Sequence, residues 1–207
     1  PVNVMGLTKS LQERVFLSAN ILNNKTRFIA VRYGNVFASR GSVIPLFHKQ
    51  ILSGGPVTVT VPEMTRFLLT LDQAVDTVCA AISDAMPGEI FVPRAPASSV
   101  LNLAKALIEE RDIEIKITGI RPGEKLHEIM ISDEEAPYAR ECGKYYAISS
   151  MLPELHSFKE ENFPRAIRGE YSSENSVISL NDTISLLKDN SLMLDNNSVD
   201  KNEELLR

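Results

Sequence analysis

The chain has 207 residues, of which 43% are hydrophobic and 24% are charged, and its formal net charge is −5. This length and balance indicate a globular protein of about one to one and a half ordinary domains. The acidic balance excludes a broad basic surface for nucleic acid, and no apolar run approaches the roughly 20 residues needed to span a bilayer. The two cysteines stand in no metal-like or disulfide-like pattern, which suits a reducing cytoplasm.

Helices and strands alternate along the chain through residue 150. Between residues 7 and 22, apolar side chains recur at three- and four-residue spacing, which predicts an amphipathic helix. Further helices are predicted at 43–52, 71–85 and 99–111, and strands at 28–33, 57–61, 89–92 and 114–118. The RPGEK turn at 121–125 is expected to lead into a short helix. This alternation predicts an α/β or mixed α+β architecture.

The composition changes after Met151, where Asn, Ser, Asp and Glu become frequent and the apolar periodicity weakens. Residues 179–188 predict a short capped helix, and residues 189–207 predict a solvated, disordered tail. The sequence opens with Pro1 and reaches a helix almost at once, from which we expect an amino-terminal truncation.

Polar side chains in four segments suit an anionic ligand. Lys9 follows Met5 by four residues, so both point to one helix face. Asn35 follows a predicted strand, at the end where α/β sheets bind ligands. Arg66 stands among apolar residues and must be paired internally or face an anion, because burying a lone charge is costly. Arg121 begins the RPGEK turn and can contact a phosphate with two hydrogen bonds. The patterns alone leave a surface lysine, a turn asparagine and a charged surface turn as alternatives.

Taken together, these segments resemble one family. PVNVMGLTK, VRYGNVFASRGSVIPLF, GGPVTVT, MTRFLLTLDQAV, GEIFVP and IRPGEKLHEIMIS are similar to the second half of polysaccharide-biosynthesis-type extended short-chain dehydrogenase/reductases. This group includes inverting UDP-N-acetylglucosamine 4,6-dehydratases and UDP-sugar epimerases. The resemblance runs to about residue 148 and continues more loosely afterwards, most clearly in GEYSSEN at 169–175.

The resemblance implies a domain organisation. Residues 1–150 would form the carboxy-terminal half of a nucleotide-sugar dehydratase or epimerase domain, 151–188 a family extension, and 189–207 the disordered tail. The implied fold is the second half of a Rossmann-like α/β domain with a small mixed α/β substrate-binding region. The implied partners are a UDP-sugar substrate and a second copy of the chain, joined through the helix that carries Lys9.

The implied activity is the 4,6-dehydration of UDP-N-acetylglucosamine with inversion at carbon 5, using NAD or NADP. The superfamily's Tyr-x-x-x-Lys motif has Met5 in the tyrosine position and keeps the lysine as Lys9. A thioether cannot exchange a proton, which favours the dehydratase over the main alternative, a UDP-sugar 4-epimerase. A third alternative is a catalytically inactive fragment that binds a UDP-sugar or a partner subunit.

The resemblance also assigns roles to residues. Lys9 would act in catalysis beside Met5, and Lys9 and Tyr33 would contact the nicotinamide cofactor. The family's glycine-rich phosphate loop does not occur in this sequence, so we expect the chain alone to bind NAD(P) poorly and to be inactive. No metal site is expected. The implied substrate-binding residues are Asn35, Ser42, Val43, Arg66, Arg121 and Glu124.

Overall fold

The computed structural model describes residues 3–22, 25–39, 41–155 and 166–194. The α-helices of this part are α1 (Val4–Leu22), α2 (Val43–Leu52), α3 (Leu71–Asp84), α4 (Val100–Ile108) and α5 (Leu180–Asp189). Its strands are β1 (Ala30–Val31), β2 (Asn35–Val36), β3 (Val57–Val59), β4 (Thr65–Leu69), β5 (Ile90–Pro93), β6 (Ala97–Ser99), β7 (Ile115–Ile117), β8 (Ile129–Ile131), β9 (Ala139–Cys142), β10 (Tyr145–Ile148) and β11 (Tyr171–Ser172).

The strands form small sheets that mix parallel and antiparallel pairs. In the largest, β1 lies parallel to β5, β5 antiparallel to β10, and β10 antiparallel to β9. A second sheet pairs β2 in parallel with β4 and β4 antiparallel with β6. β3 lies parallel to β7, and β11 antiparallel to β8. Parallel pairs require helical crossovers, so this arrangement confirms the predicted α/β class.

Hydroxyl side chains cap the amino-terminal ends of several helices. Thr70 accepts a hydrogen bond of 3.0 Å from the N–H of Gln73, whose side chain accepts one of 2.9 Å from the N–H of Thr70, and this capping box begins α3. Ser99 caps α4 by accepting from the N–H of Asn102, and Ser179 caps α5 in the same way. These caps confirm the predicted helix starts near residues 71, 99 and 179.

Strand β4 runs between two apolar cores. Leu68 packs into the first, which contains residues of α2, β3, α4 and α5. Phe67 and Leu69 pack into the second, which contains residues of β5, β8 and β10. Successive side chains of a strand point to opposite faces, so β4 serves both cores at once. Arg66, within this strand, is thereby held in a rigid part of the molecule.

The short helix expected after the RPGEK turn does not form, and the chain instead reaches β8 through irregular backbone. The carbonyl of Lys125 accepts a hydrogen bond from Arg66, and that of Leu126 accepts from Arg66 and from the N–H of Thr65. These contacts tie the segment to β4 in a non-helical conformation. The prediction of a helix here was therefore wrong.

The carboxy-terminal part packs into the same cores. Tyr171 packs against Phe67 with ring centroids 4.9 Å apart and the rings tilted by 45°, and Leu187 is fully buried in the first core. The predicted disordered tail, 189–207, is wrong over residues 189–194. Asp189 ends α5, the carbonyl of Leu192 is 3.0 Å from Nε2 of His48, and Leu194 is buried. The rest of that predicted tail, 195–207, lies outside the described residues.

Helix α1 buries less of its surface against the rest of the protein than the other helices do. Leu17 is its buried residue, whereas Val4, Leu7, Leu11 and Val15 are exposed. No helix in the described ranges is both long and apolar enough to cross a membrane.

Candidate functional site

Two cavities adjoin at the end of β2. The α2 cavity, of about 310 Å³, lies between β2, the start of α2, β4 and the 121–124 turn. The α1 cavity, of about 510 Å³, lies between the start of α1, the residues after β1 and the 123–130 segment. Asn35, Arg66 and Glu124 line both cavities. The two therefore form one continuous cleft with these three side chains at its middle.

The start of α2 faces the α2 cavity with free hydrogen-bonding groups. Ser42 stands at the N-cap, but its side chain makes no capping hydrogen bond. Its Oγ is buried, and the described residues offer it no partner. Val43 begins the helix beside it and also lines the cavity. Unsatisfied N–H groups at a helix start attract anions, so this end of the cleft suits a negatively charged ligand.

The 121–124 turn closes the other side of the α2 cavity. The N–H of Glu124 donates to the carbonyl of Arg121 at 3.1 Å, and the carboxylate of Glu124 accepts from the N–H of Arg121 at 3.1 Å. Gly123 adopts φ +81°, a conformation that favours glycine. In the described part of the chain, no carboxylate lies within ion-pair distance of the Arg121 guanidinium. An exposed cation at the mouth of the cavity is thus available to an anion.

Asn3 ties the start of α1 to this turn. Its Oδ1 accepts from the N–H of Gly6 at 2.8 Å, and its Nδ2 donates to the carbonyl of Gly123 at 3.1 Å. Met5 therefore lies close to the turn and lines the α1 cavity. The sequence reasoning missed Asn3, although an asparagine just before a helix is a common N-cap signal.

Arg66 is paired internally, which is one of the two outcomes that its apolar surroundings predicted. Its guanidinium donates to the carbonyls of Thr65, Lys125 and Leu126 at 2.7, 2.9 and 3.1 Å. Its Nε lies 3.7 Å from Oε1 of Glu128. Through these hydrogen bonds, Arg66 stabilises the 121–126 segment. Its side chain also lines both cavities, so it places positive charge in the cleft.

Glu128 is a site residue that the sequence reasoning missed. In the amide orientation that satisfies both groups, the side-chain nitrogen of Asn35 lies 3.2 and 3.1 Å from its two carboxylate oxygens. Burial raises the pKa of Glu128 above its ordinary value, and Arg66 and the N–H of Phe67 offset this rise only in part. The residue lies within the IRPGEKLHEIM segment, but no local pattern marks it as a contact of Asn35.

A buried ion-pair cluster positions α1 against the sheet. The guanidinium of Arg32 is 2.6 Å from a carboxylate oxygen of Glu13 on α1 and 2.8 Å from one of Glu135. It also donates to the carbonyl of Met130 at 2.8 Å. Burial opposes the charge of Arg32, but hydrogen bonds to both carboxylates outweigh this and raise its pKa. The cluster therefore holds α1 in its position beside the α1 cavity.

Lys9 stands apart from the other predicted site residues. It is exposed, its ammonium is 3.1 Å from Oε1 of Gln12, and it lines neither cavity. The others share the cleft: Met5 and Tyr33 line the α1 cavity, Ser42, Val43 and Arg121 the α2 cavity, and Asn35, Arg66 and Glu124 both.

Comparison with known proteins identifies the family. The sequence model of the polysaccharide biosynthesis protein family matches residues 1–150. The chain belongs to this family.

Members of the polysaccharide biosynthesis protein family and other similar sequences carry several names. The capsular polysaccharide biosynthesis protein CapD of Staphylococcus aureus is 52% identical over 141 residues, which are 65% of this chain and 24% of that protein. UDP-glucose 4-epimerase of Rickettsia bellii is 42% identical over 183 residues, covering 85% and 54%. The inverting UDP-N-acetylglucosamine 4,6-dehydratase of Campylobacter jejuni is 45% identical over 157 residues, covering 73% and 46%. The chain thus spans about half or less of the length of these relatives.

Solved structures support the fold. Pen from Bacillus thuringiensis superposes with a TM-score of 0.82 and 37% identity, over 93% of this chain and 60% of that one. UDP-glucuronic acid 4-epimerase from Bacillus cereus, solved with UDP-glucuronic acid and NAD, superposes with a TM-score of 0.53 and 20% identity, over 61% and 43%. At that identity the second likeness concerns the fold alone.

Proposed function

We propose that this chain forms the UDP-sugar-binding half of an NAD(P)-dependent enzyme of polysaccharide biosynthesis, which dehydrates UDP-N-acetylglucosamine at carbons 4 and 6 with inversion at carbon 5. The observation that carries the proposal is the shared cleft, in which Asn35, Ser42, Arg66 and Arg121 converge. The names of the relatives support the same class of substrate.

In this proposal the α2 cavity receives the nucleoside diphosphate. The start of α2 and the guanidinium of Arg121 offer hydrogen bonds and positive charge to the phosphates. Ser42 supplies a hydroxyl whose oxygen is buried and lacks a partner among the described residues. Glu124 lies beside Arg121 and is placed to accept from a ribose hydroxyl. The sugar then extends past Asn35 into the α1 cavity, towards Met5.

The residues present fit the cofactor only in part. The ammonium of Lys9 is exposed and contacts the uncharged side chain of Gln12, so it is free to donate to a ribose hydroxyl of NAD or NADP. Tyr33 is 47% exposed at the edge of the α1 cavity. The chain contains no glycine-rich loop for the pyrophosphate. A bound nicotinamide would supply hydride removal from carbon 4 of the sugar and hydride return at carbon 6.

Met5 favours the dehydratase over the epimerase. A thioether can neither donate nor accept a proton as a tyrosine hydroxyl does, so Met5 can only contact the sugar. The UDP-glucose 4-epimerase name of one relative supports the second candidate. In both cases we place the protein in the cytoplasm.

The mass of the product separates the candidates. Incubation of UDP-N-acetylglucosamine and NAD(P)⁺ with the protein that carries this chain should give a product lighter by one water. A product of unchanged mass but altered sugar stereochemistry would instead support the epimerase. No conversion, even when a dinucleotide-binding half from a relative is supplied, would support the third alternative, a non-catalytic binding fragment.

A further inference from the structure

Glu128 contacts two of the three residues that line both cavities. Its carboxylate oxygens lie 3.2 and 3.1 Å from the amide nitrogen of Asn35, and one of them lies 3.7 Å from Nε of Arg66. The carboxylate therefore lies where an anionic ligand would approach Asn35 and Arg66 at the middle of the cleft. No role in the proposed binding of substrate or cofactor involves this carboxylate.

The cations near Glu128 neutralise its negative charge only in part. Lys125 precedes it in the same segment and favours its charged form. His127, its neighbour, is turned away, with Nδ1 2.8 Å from Oγ1 of Thr65 and Nε2 3.7 Å from Glu174.

The remaining cations that face Glu128 are committed elsewhere. Arg32 also lines the α1 cavity, but its guanidinium is held by Glu13 and Glu135. Four hydrogen-bonding contacts of Arg66 go to carbonyls and a sulfur rather than to the carboxylate. The contacts that stabilise the Glu128 carboxylate are therefore one long ion pair with Arg66, the N–H of Phe67 and the amide of Asn35.

We propose that Glu128 is a resident anion of the site, which competes with the phosphates of a nucleotide sugar for Arg66 and with its sugar for Asn35, and which takes up a proton when the ligand binds. The inference rests on the proposed function, because it requires the cleft to hold a nucleoside diphosphate sugar. Phosphates that enter beside an ionised carboxylate bring like charges together, and protonation of the carboxylate removes that repulsion. Burial, which raises the pKa of Glu128, favours this uptake.

Calorimetric titration with UDP-N-acetylglucosamine tests the proposal, because the phosphodiester charges of this ligand do not titrate in the range used. The heat of binding is measured at about pH 6 in two non-phosphate buffers of different ionisation enthalpy, and the measurement is repeated at about pH 8. The chain is compared with its Glu128→Gln variant, whose amide oxygen still accepts from Asn35. Glu110→Gln, an exposed carboxylate at the end of α4, is the charge-matched control.

We expect the chain and its Glu110→Gln variant to take up a proton on binding at the lower pH and to bind more weakly at the higher pH. Glu128→Gln should bind roughly fivefold more tightly at about pH 8, with no proton uptake and little pH dependence. If the unmodified chain binds without taking up a proton, and Glu128→Gln binds with the same affinity, the inference is overturned while the proposed function stands. Absence of binding in all three proteins would overturn both. The proton uptake of the unmodified chain decides the question even if the variant fails to fold.

Discussion

Gly34 permits the chain to pass from β1 to β2 directly over β4. A Cβ atom at this position would lie 2.4 Å from Cβ of Phe67 and 3.0 Å from its carbonyl oxygen. Gly34 also lines the α1 cavity, between Tyr33 and Asn35. Because Gly34 has no side chain, β1, β2 and β4 can lie close together, and their packing determines the position of the cleft.

Replacement of Gly34 by alanine should destabilise the protein by about 1–3 kcal/mol, because the added methyl group cannot fit without moving β4. The free energy of unfolding in urea measures this. Gly169→Ala is the matched control, since the nearest atom to its added Cβ is a side-chain oxygen of Asp133 at 3.4 Å. Equal stability of the two variants would contradict the packing described at Gly34.

Sequence reasoning identified residues whose local pattern carries information, and it missed contacts between distant segments. Arg121 and Glu124 stand in a turn with Pro122 and Gly123, so their exposure and geometry follow from local chemistry. The Asn35–Glu128 contact joins segments far apart in the chain, and no spacing rule reports it. Lys9 lay within a recognisable motif, but its distance from the cleft depends on how α1 is docked.

At the scale of elements, a cluster of charged side chains helps to hold α1 to the sheet. Arg32 joins Glu13 of α1 to Glu135, and the side chain of Glu135 is 8% exposed. Burial raises the pKa of Glu135, but hydrogen bonds from Arg32 and Ser132 outweigh burial and lower it. A carboxylate whose pKa is lowered in the folded state stabilises the protein above its unfolded pKa, and this contribution is lost as pH falls through the folded value.

Replacement of Arg32 by methionine should cost about 3–5 kcal/mol near neutral pH, because two carboxylates lose their partner and Glu135 stays buried. The difference from the unmodified chain should shrink as pH falls, beginning above the ordinary carboxyl pKa, because burial raises the pKa of Glu135 once Arg32 is gone and protonation then removes the uncompensated charge. Urea unfolding across this pH range measures both effects.

Arg94→Met provides the control for this experiment. Arg94 pairs with Glu141 at 3.6 Å, and both side chains are about half exposed. Its replacement should cost less than about 1 kcal/mol, because solvent screens an exposed pair. A loss at Arg32 no larger than that at Arg94 would show that the cluster does not hold α1.

The sequence predicted element boundaries best where residues that end an element, such as glycine, stand beside it. Helix α2 has the predicted bounds, Val43–Leu52, and Gly54 and Gly55, both at positive φ, follow its end. Strand β4 was not predicted, since its arginine and threonine interrupt the apolar pattern. Its strand conformation is imposed by the two cores that it separates, which is tertiary information.

At the scale of the whole molecule, the outer face of α1 remains apolar. Val4, Leu7, Leu11 and Val15 recur at helical spacing and are each more than half exposed. Isolated apolar residues are common on protein surfaces, but a stripe of this kind marks an interaction face. We propose that it joins two copies of the chain.

Light scattering after size-exclusion chromatography should therefore report a dimer for the unmodified chain. Leu11→Glu should shift the chain to monomer, because it places a charge in the middle of the stripe. Leu52→Glu, at an exposed leucine on α2 away from the stripe, should leave the dimer intact. A monomeric unmodified chain, or equal loss of dimer in both variants, would contradict the proposed interface.

Binding of a UDP-sugar in the cleft underlies the proposed function, and a binding titration tests it directly. UDP-N-acetylglucosamine should bind the unmodified chain and its Arg168→Ala variant, which removes an exposed arginine outside the cleft, with equal affinity. Arg121→Ala should weaken binding about tenfold, through loss of a charge-assisted contact with phosphate. Equal affinities in Arg121→Ala and Arg168→Ala, or no binding to the unmodified chain, would contradict the account.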